Sequence, residues 1–257
     1  MAFALITGAS KGIGKAIARE LAGKGFDLLL VARTESLLQN VAEEIRKDFG
    51  REAHWLTMDL SAPGASQKIF EWCRENNYAV SVLVNNAGYG LSGTFGTYTL
   101  QENMQMLQVN VNVVVELTQL FLPQLKQQSQ AYILNISSTA AYQAVPYLAL
   151  YSASKSFVLQ FSRALRYELK KTSVSVTCIS PGTTDTDFAH RANVGEKALK
   201  TAEKFNMSPE AVAKVCVDSM LKGKTEVVVG LLNKLGAFLT RLAPKKLSEN
   251  TAAKIYE

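Results

Sequence analysis

The chain has 257 residues, 28 Lys and Arg against 22 Asp and Glu, a formal charge of +6 and three cysteines. That length fits one large α/β domain or two small ones and is enough to bury a sizeable core. The cations are spread rather than blocked, so no nucleic-acid partner is expected, and scattered Cys73, Cys178 and Cys216 have neither a disulfide framework nor metal-ligand spacing.

Short apolar runs alternate with longer amphipathic segments. Strands are expected at residues 3–7, 26–32, 53–58, 80–84, 131–137, 174–180 and 225–229. Helices are expected near 12–24, 35–49, 64–76, 100–127, 151–171 and 208–222. Most of the strand segments are apolar on both faces, as a parallel sheet covered by helices on each side requires. The alternation predicts an α/β fold, an open, doubly wound parallel sheet of seven strands flanked by helices. No Pro/Gly/Ser-rich linker divides residues 1–257, so one domain is expected. The segment 183–207 reads as a long loop or a lid over a substrate, followed after 230 by an amphipathic tail. Open sheets of this kind bind ligands beyond the carboxyl ends of their strands, which directs attention to the residues just after each strand.

After the first strand, ITGASKGIGKAIARE places Gly8, Gly12 and Gly14, with Ser10, Lys11 and Ile13 between them, at the entrance to a helix. Glycines let the backbone approach a pyrophosphate, and the helix N-terminus offers free N–H groups. A plain glycine-rich turn is the alternative. The second strand ends in Ala32 and Arg33 with no acid to bond a ribose 2′-hydroxyl. Arg33, with Lys11 in the glycine loop, suits the 2′-phosphate of NADP(H).

Tyr-x-x-x-Lys occurs twice, at Tyr151/Lys155 and Tyr167/Lys171, with Ser138 and Ser154 at equal distances upstream. Ser138 follows a strand and Tyr151 opens the next helix, so the loop between them can bring the two side chains together. Ser154 and Tyr167 share one helix about 20 Å apart, and Tyr167 points roughly 160° away from Tyr151. The first pair is therefore the candidate proton donor with its lysine.

TGASKGIG (7–14), Asp59-Leu60, NNAG (85–88), Asn110, Ser138, YSASK (151–155) and PGTTDT (181–186) fall in this order at successive strand ends. With them the chain resembles the short-chain dehydrogenase/reductase family, of the NADP type, over residues 2–230. The resemblance implies a doubly wound Rossmann fold, a nicotinamide cofactor and hydride exchange with a carbonyl or alcohol. It implies further that Asp59 and Leu60 meet the adenine and that Asn86, Ala87 and Gly88 leave room for the adenosine ribose. Pro181 and Gly182 would turn the chain beside the nicotinamide, and Thr186 would hold its carboxamide. Ser138 would bond the substrate oxygen, Tyr151 would transfer the proton, Lys155 would hold the nicotinamide ribose, and Asn110 would hold a water joining the lysine to solvent. An ammonium and an oxidised nicotinamide beside the tyrosine are expected to lower its ordinary pKa of about 10. Two departures, TAA after Ser138 and Val-Asn after Asn110, touch the substrate side.

The expected substrate lining is apolar and aromatic: Tyr89, Tyr142, Val145 and Phe188, with Leu91, Phe95, Tyr147 and Met207 near them; core packing is the alternative. In the tail, Leu231, Leu232, Leu235, Phe238, Leu239 and Leu242 recur at helical spacing, with Lys234, Arg241, Lys245 and Lys246 off the stripe. Such a helix packs on its own domain or a partner subunit, or lies on a membrane surface or a lipid substrate. The amino terminus lacks the basic start and cleavage site of a secretory signal, and no apolar run approaches a membrane span, so a cytoplasmic protein is expected. The combined reading is an NADPH-dependent carbonyl reductase acting on a small apolar molecule without a metal, as a homodimer or homotetramer. The alternative is a cofactor-binding sensor or scaffold that kept the fold and lost turnover.

Overall fold

The computed structural model describes residues 2–184, 192, 194–195 and 206–256. Seven strands form one parallel sheet: β1 Phe3–Thr7, β2 Asp27–Ala32, β3 Ala53–Thr57, β4 Val80–Asn85, β5 Ala131–Ile136, β6 Val174–Ser180 and β7 Glu226–Val228. Their order is β3-β2-β1-β4-β5-β6-β7, so the strand sequence reverses between β1 and β4. The helices are α1 Gly12–Gly23, α2 Glu35–Phe49, α3 Ala65–Glu75, α4 Leu100–Leu107, α5 Val113–Gln127, α6 Ala149–Glu168, α7 Pro209–Leu221, α8 Leu231–Leu242 and α9 Lys245–Tyr256.

Hydrophobicity on both strand faces has the expected result. Every residue of β1, β2, β4 and β6 is buried, while β7, at one edge, is only half-buried. One face packs Ile17 and Leu21 of α1, Leu38 and Ile45 of α2, and Val212 and Val217 of α7. The other packs Ile69 of α3, Leu117 and Phe121 of α5, and Leu165 of α6. Each such side chain contributes about 1.5–3 kcal/mol by leaving water.

The single helix expected over 100–127 is instead two helices joined by a π turn at Gln108–Asn112. Its cause lies outside the local sequence: the turn carries Asn110, which is fully buried and bonded to a loop elsewhere in the chain. Single π turns of this kind recur at functional sites. A short 3-10 helix, Thr139–Tyr142, follows β5. Most of the expected lid lies outside the described residues. Among the described residues, no helix is long and apolar enough to cross a membrane.

Candidate active site

The carboxyl ends of β1, β4, β5 and β6 bring the predicted residues to one edge of the sheet. At β1, a Cβ on Gly14 would lie 2.1 Å from the Gly8 carbonyl oxygen, so α1 can start this close to the loop only with glycine there. Asn86 fixes the same loop: its Nδ2 donates to the carbonyls of Thr7 (2.9 Å) and Gly8 (3.3 Å). The Thr7 hydroxyl accepts from the N–H groups of Asn86 and Ala87, both at 3.1 Å. Asn86 therefore buttresses the glycine loop. Asn85, one residue earlier, is a buried structural amide that donates to Asn135 Oδ1 at 2.8 Å.

The α1 N-terminus has no side-chain cap and no acid in its first turn. Ser10, Gly12 and Ile13 are half-buried, and Lys11 and Arg33 are exposed. Uncapped helical N–H groups, a glycine loop, and cations with no acid at the β2 tip fit a phosphate-rich dinucleotide. Asp59 Oδ1 accepts from the Ser61 N–H (2.9 Å) and hydroxyl (2.8 Å), closing a turn rather than capping a helix. Leu60 is a core side chain beneath that turn.

The end of β5 locks the lysine. Lys155 is buried; its Nζ donates to the Ile136 carbonyl (3.0 Å), and its own carbonyl accepts from Ser137 Oγ (2.8 Å). Ser138 caps the 3-10 helix by accepting from Ala140 N–H at 3.1 Å, and its hydroxyl acts on Tyr151, favouring the phenolate. Tyr151 lies in the first turn of α6, 7% exposed, with the Lys155 ammonium 5.9 Å from its ring centre. Asn110 donates to the Tyr89 carbonyl (2.9 Å) and accepts from the Tyr89 N–H (3.1 Å), pairing with that backbone as a strand would. A Cβ on Gly88 would sit 3.0 Å from Lys155 Nζ and 3.1 Å from Asn110 Oδ1. Glycine at 88 is what lets the lysine and the asparagine meet there.

The electrostatics correct one expectation. Burial pushes the Tyr151 hydroxyl up to about 12, against the pull of the Ser138 hydrogen bond and with a smaller push from Tyr256. Burial also pulls the Lys155 ammonium down to about 8. The lysine donates to a carbonyl rather than to the tyrosine, so in the protein alone desolvation outweighs the ammonium's attraction for a phenolate. The tyrosine therefore keeps its proton at neutral pH.

Of the expected lining, Tyr89, Leu91 and Val145 gather around Tyr151 with Met106 and Leu148. Tyr147 is half-buried and held at a φ of 66°. Two others stand apart from that cluster. Phe95 is 83% exposed. Tyr142 packs with Leu159 and Cys178, and its hydroxyl donates to Glu226 Oε1 at 2.7 Å, which fixes it against β7. Met207 packs with the α1 face of the core and forms a bridge with Thr184. Pro181 is buried, and its carbonyl accepts from Thr139 N–H at 2.9 Å, tying the turn at Gly182 to the Ser138 segment. Thr186 and Phe188 lie outside the described residues.

Three contributors went unread in the sequence. Ser154, set aside with the second tyrosine, accepts from Asn110 Nδ2 (3.1 Å) and donates to the Tyr151 carbonyl (2.7 Å), joining the π turn to α6. Ala252 is buried in the Tyr151 cluster, and Tyr256 packs against it, so α9 returns over the site. Tyr167, of the second Tyr-x-x-x-Lys pair, is 69% exposed, with Lys170 Nζ 3.8 Å from its ring centre.

Comparison with known proteins agrees with this geometry. A family model described as short chain dehydrogenase matches residues 2–197. The mouse 17-beta-hydroxysteroid dehydrogenase type 3 is 32% identical over 238 residues, 91% of this chain and 76% of its own. The ketoacyl reductase HetN of a Nostoc species is 30% identical over 256 residues, 98% of this chain and 87% of its own. Among solved structures, a short-chain dehydrogenase from Sphingobium yanoikuyae in complex with NADPH superposes with a TM-score of 0.83 at 26% identity, covering 94% of each chain. The chain belongs to the short-chain dehydrogenase family of oxidoreductases, whose members bind a nicotinamide cofactor.

Proposed function

We propose that the chain is an NADPH-dependent reductase of apolar ketones or aldehydes, of the 3-oxoacyl or steroid-like kind, built as one domain and working as a homo-oligomer. The observation that carries this reading is a buried Tyr151 under the influence of the Ser138 hydroxyl, with a buried Lys155 ammonium 5.9 Å from its ring centre. When bound, the nicotinamide supplies the hydride that reduces the carbonyl carbon. Ser138 donates to the carbonyl oxygen and holds it within reach of Tyr151. Tyr151, protonated at neutral pH, gives its hydroxyl proton to that oxygen as negative charge develops there. The Lys155 ammonium favours the phenolate left behind and bonds the nicotinamide ribose. Asn110 and Ser154 hold the Tyr89 backbone and the first turn of α6 in register, which keeps these groups preorganised. The apolar surround of Met106, Val145, Leu148 and Leu91 excludes water and suits an apolar substrate. The named activities of the mouse and Nostoc relatives agree with that class. A silent sensor finds no support beside relatives named as dehydrogenases and reductases.

The glycine loop and the α1 N-terminus would hold the pyrophosphate, and Arg33 with Lys11 the 2′-phosphate. Arg33 is exposed and makes no ion pair or side-chain hydrogen bond among the described residues, so it is available for a bidentate phosphate contact. Arg33→Asp should lower the kcat/KM ratio of NADPH to NADH by about tenfold to hundredfold, the loss of one charge-assisted contact plus repulsion. An unchanged ratio would remove Arg33 from the phosphate site. A panel of ketones, 3-oxoacyl thioesters and steroids read by NADPH oxidation would test the substrate class; turnover confined to polar sugars would overturn it.

A further inference from the structure

The tail helix α8 is built the wrong way round for a helix that packs on its own domain. Leu231, Leu232, Leu235, Phe238, Leu239 and Leu242 are between 51% and 87% exposed. At about 100° per residue they fill one arc of roughly 120°. The opposite face, Asn233, Ala237 and Thr240, is the one turned to the protein. Ala237 is buried, and Asn233 lies so close to the Pro181-Gly182 turn that a Cβ on Gly182 would be 2.3 Å from its Nδ2. Asn233 also donates to the Val229 carbonyl at 2.8 Å, fixing the helix to the exit of β7. The small, polar face anchors α8, and a contiguous apolar face points outward, continued by Leu247 at 59% exposure. An exposed apolar patch of this extent marks a contact surface.

Its surroundings select the occupant. Residues 229–248 contain four Lys and Arg and no Asp or Glu. Lys234, Lys245 and Lys246 are exposed beside the apolar arc. A second copy of the chain pairing through this face would set these cations against themselves, with no acid on the segment to meet them. An apolar arc with a basic border matches the acyl and headgroup layers of an anionic bilayer. Twelve residues of helix span about 18 Å, short of a roughly 30 Å hydrocarbon core, so the helix would lie in the surface rather than cross it.

We infer that α8 docks the protein on anionic phospholipid surfaces, with the Leu235/Phe238 face in the acyl layer and Lys234, Lys245 and Lys246 at the headgroups. This assignment does not depend on the substrate class. The test is flotation of the full chain with phosphatidylcholine vesicles, with and without phosphatidylglycerol. Wild type should partition to the anionic vesicles. The double variant Leu235→Ser/Phe238→Ser should lose at least about tenfold in partitioning, and Lys234→Gln/Lys245→Gln/Lys246→Gln should lose at least about fivefold on anionic vesicles only. NADPH oxidation by the serine variant in vesicle-free buffer should match wild type, which shows that it is folded. Equal partitioning of wild type and the serine variant overturns the inference. So does a smaller particle mass for the serine variant in vesicle-free buffer with its vesicle binding unchanged, which would assign the face to a second copy.

Discussion

Tyr151→Phe is expected to reduce turnover about thousandfold while leaving NADPH binding and the unfolding midpoint nearly unchanged. The substitution removes one oxygen from a buried ring that keeps its packing among Met106, Val145 and Leu148. Ser138, whose hydroxyl acts on that oxygen, retains the Ala140 N–H. What is lost is the proton donor. Raised to about 12, the hydroxyl holds its proton throughout the neutral range, so in the proposed reaction reduction would begin with the proton in place. Alcohol oxidation needs the phenolate and should therefore speed up as pH rises, in steady-state assays run both ways. Binding of NADPH is read separately by the quenching of protein fluorescence. A phenylalanine variant that retains turnover within tenfold of wild type would remove Tyr151 as the acid.

Lys155→Met is expected to move activity and stability in opposite directions. Turnover should fall by about a hundredfold or more, because the charge that favours the phenolate is gone. Stability at neutral pH should rise. The folded lysine titrates near about 8, below its ordinary value of 10.5, because burial disfavours the ammonium. Between those two values the unfolded chain binds more protons than the folded one, so wild-type stability climbs with pH across this window. The lysine's contribution is fully present above about 10.5 and is lost as pH falls through about 8. Below that point the buried charge costs roughly 3 kcal/mol. Methionine avoids that cost but leaves the Ile136 carbonyl without its donor, a loss of about 1 kcal/mol. The variant should therefore be more stable than wild type by about 2 kcal/mol at pH 7 and lose that advantage as pH approaches 10. Urea unfolding of both proteins at the two pH values measures it. Equal midpoints at neutral pH would show that the lysine is not held in a desolvated site. The expected pattern is that of a group kept for chemistry at the expense of the fold.

The sheet was legible because its strands are apolar on both faces, a pattern that an antiparallel sheet with one wet face does not produce. The candidate site was legible where its residues stand at strand ends: Gly8 after β1, Gly88 after β4, Ser138 after β5 and Gly182 after β6. The remainder depends on contacts that sequence distance hides. The π turn and Ser154 belong together only because Asn110 bonds across 44 residues. Ala252 carries no periodic signal, yet α9 buries it beside Tyr151. The direction of the tyrosine's pKa shift follows from desolvation, which a Tyr-x-x-x-Lys spacing does not encode. In α8 the spacing revealed an apolar stripe but not which side of the helix meets the protein. Tyr142 and Phe95 show the same gap, since aromatic residues near a site can be fixed by a hydroxyl partner or left in solvent.

The central claim is that the residues around Tyr151 support hydride exchange with a carbonyl rather than mere cofactor binding. The most direct measurement incubates the enzyme with apolar ketones and NADPH deuterated at the transferable position of its nicotinamide, and weighs the alcohol product. The account predicts one deuterium on the carbinol carbon, with the hydroxyl proton drawn from solvent by way of Tyr151, and no labelled product from Tyr151→Phe on the same timescale. NADPH binding without labelled alcohol from any ketone in the panel, or label transfer that is equally fast without the tyrosine hydroxyl, would contradict it.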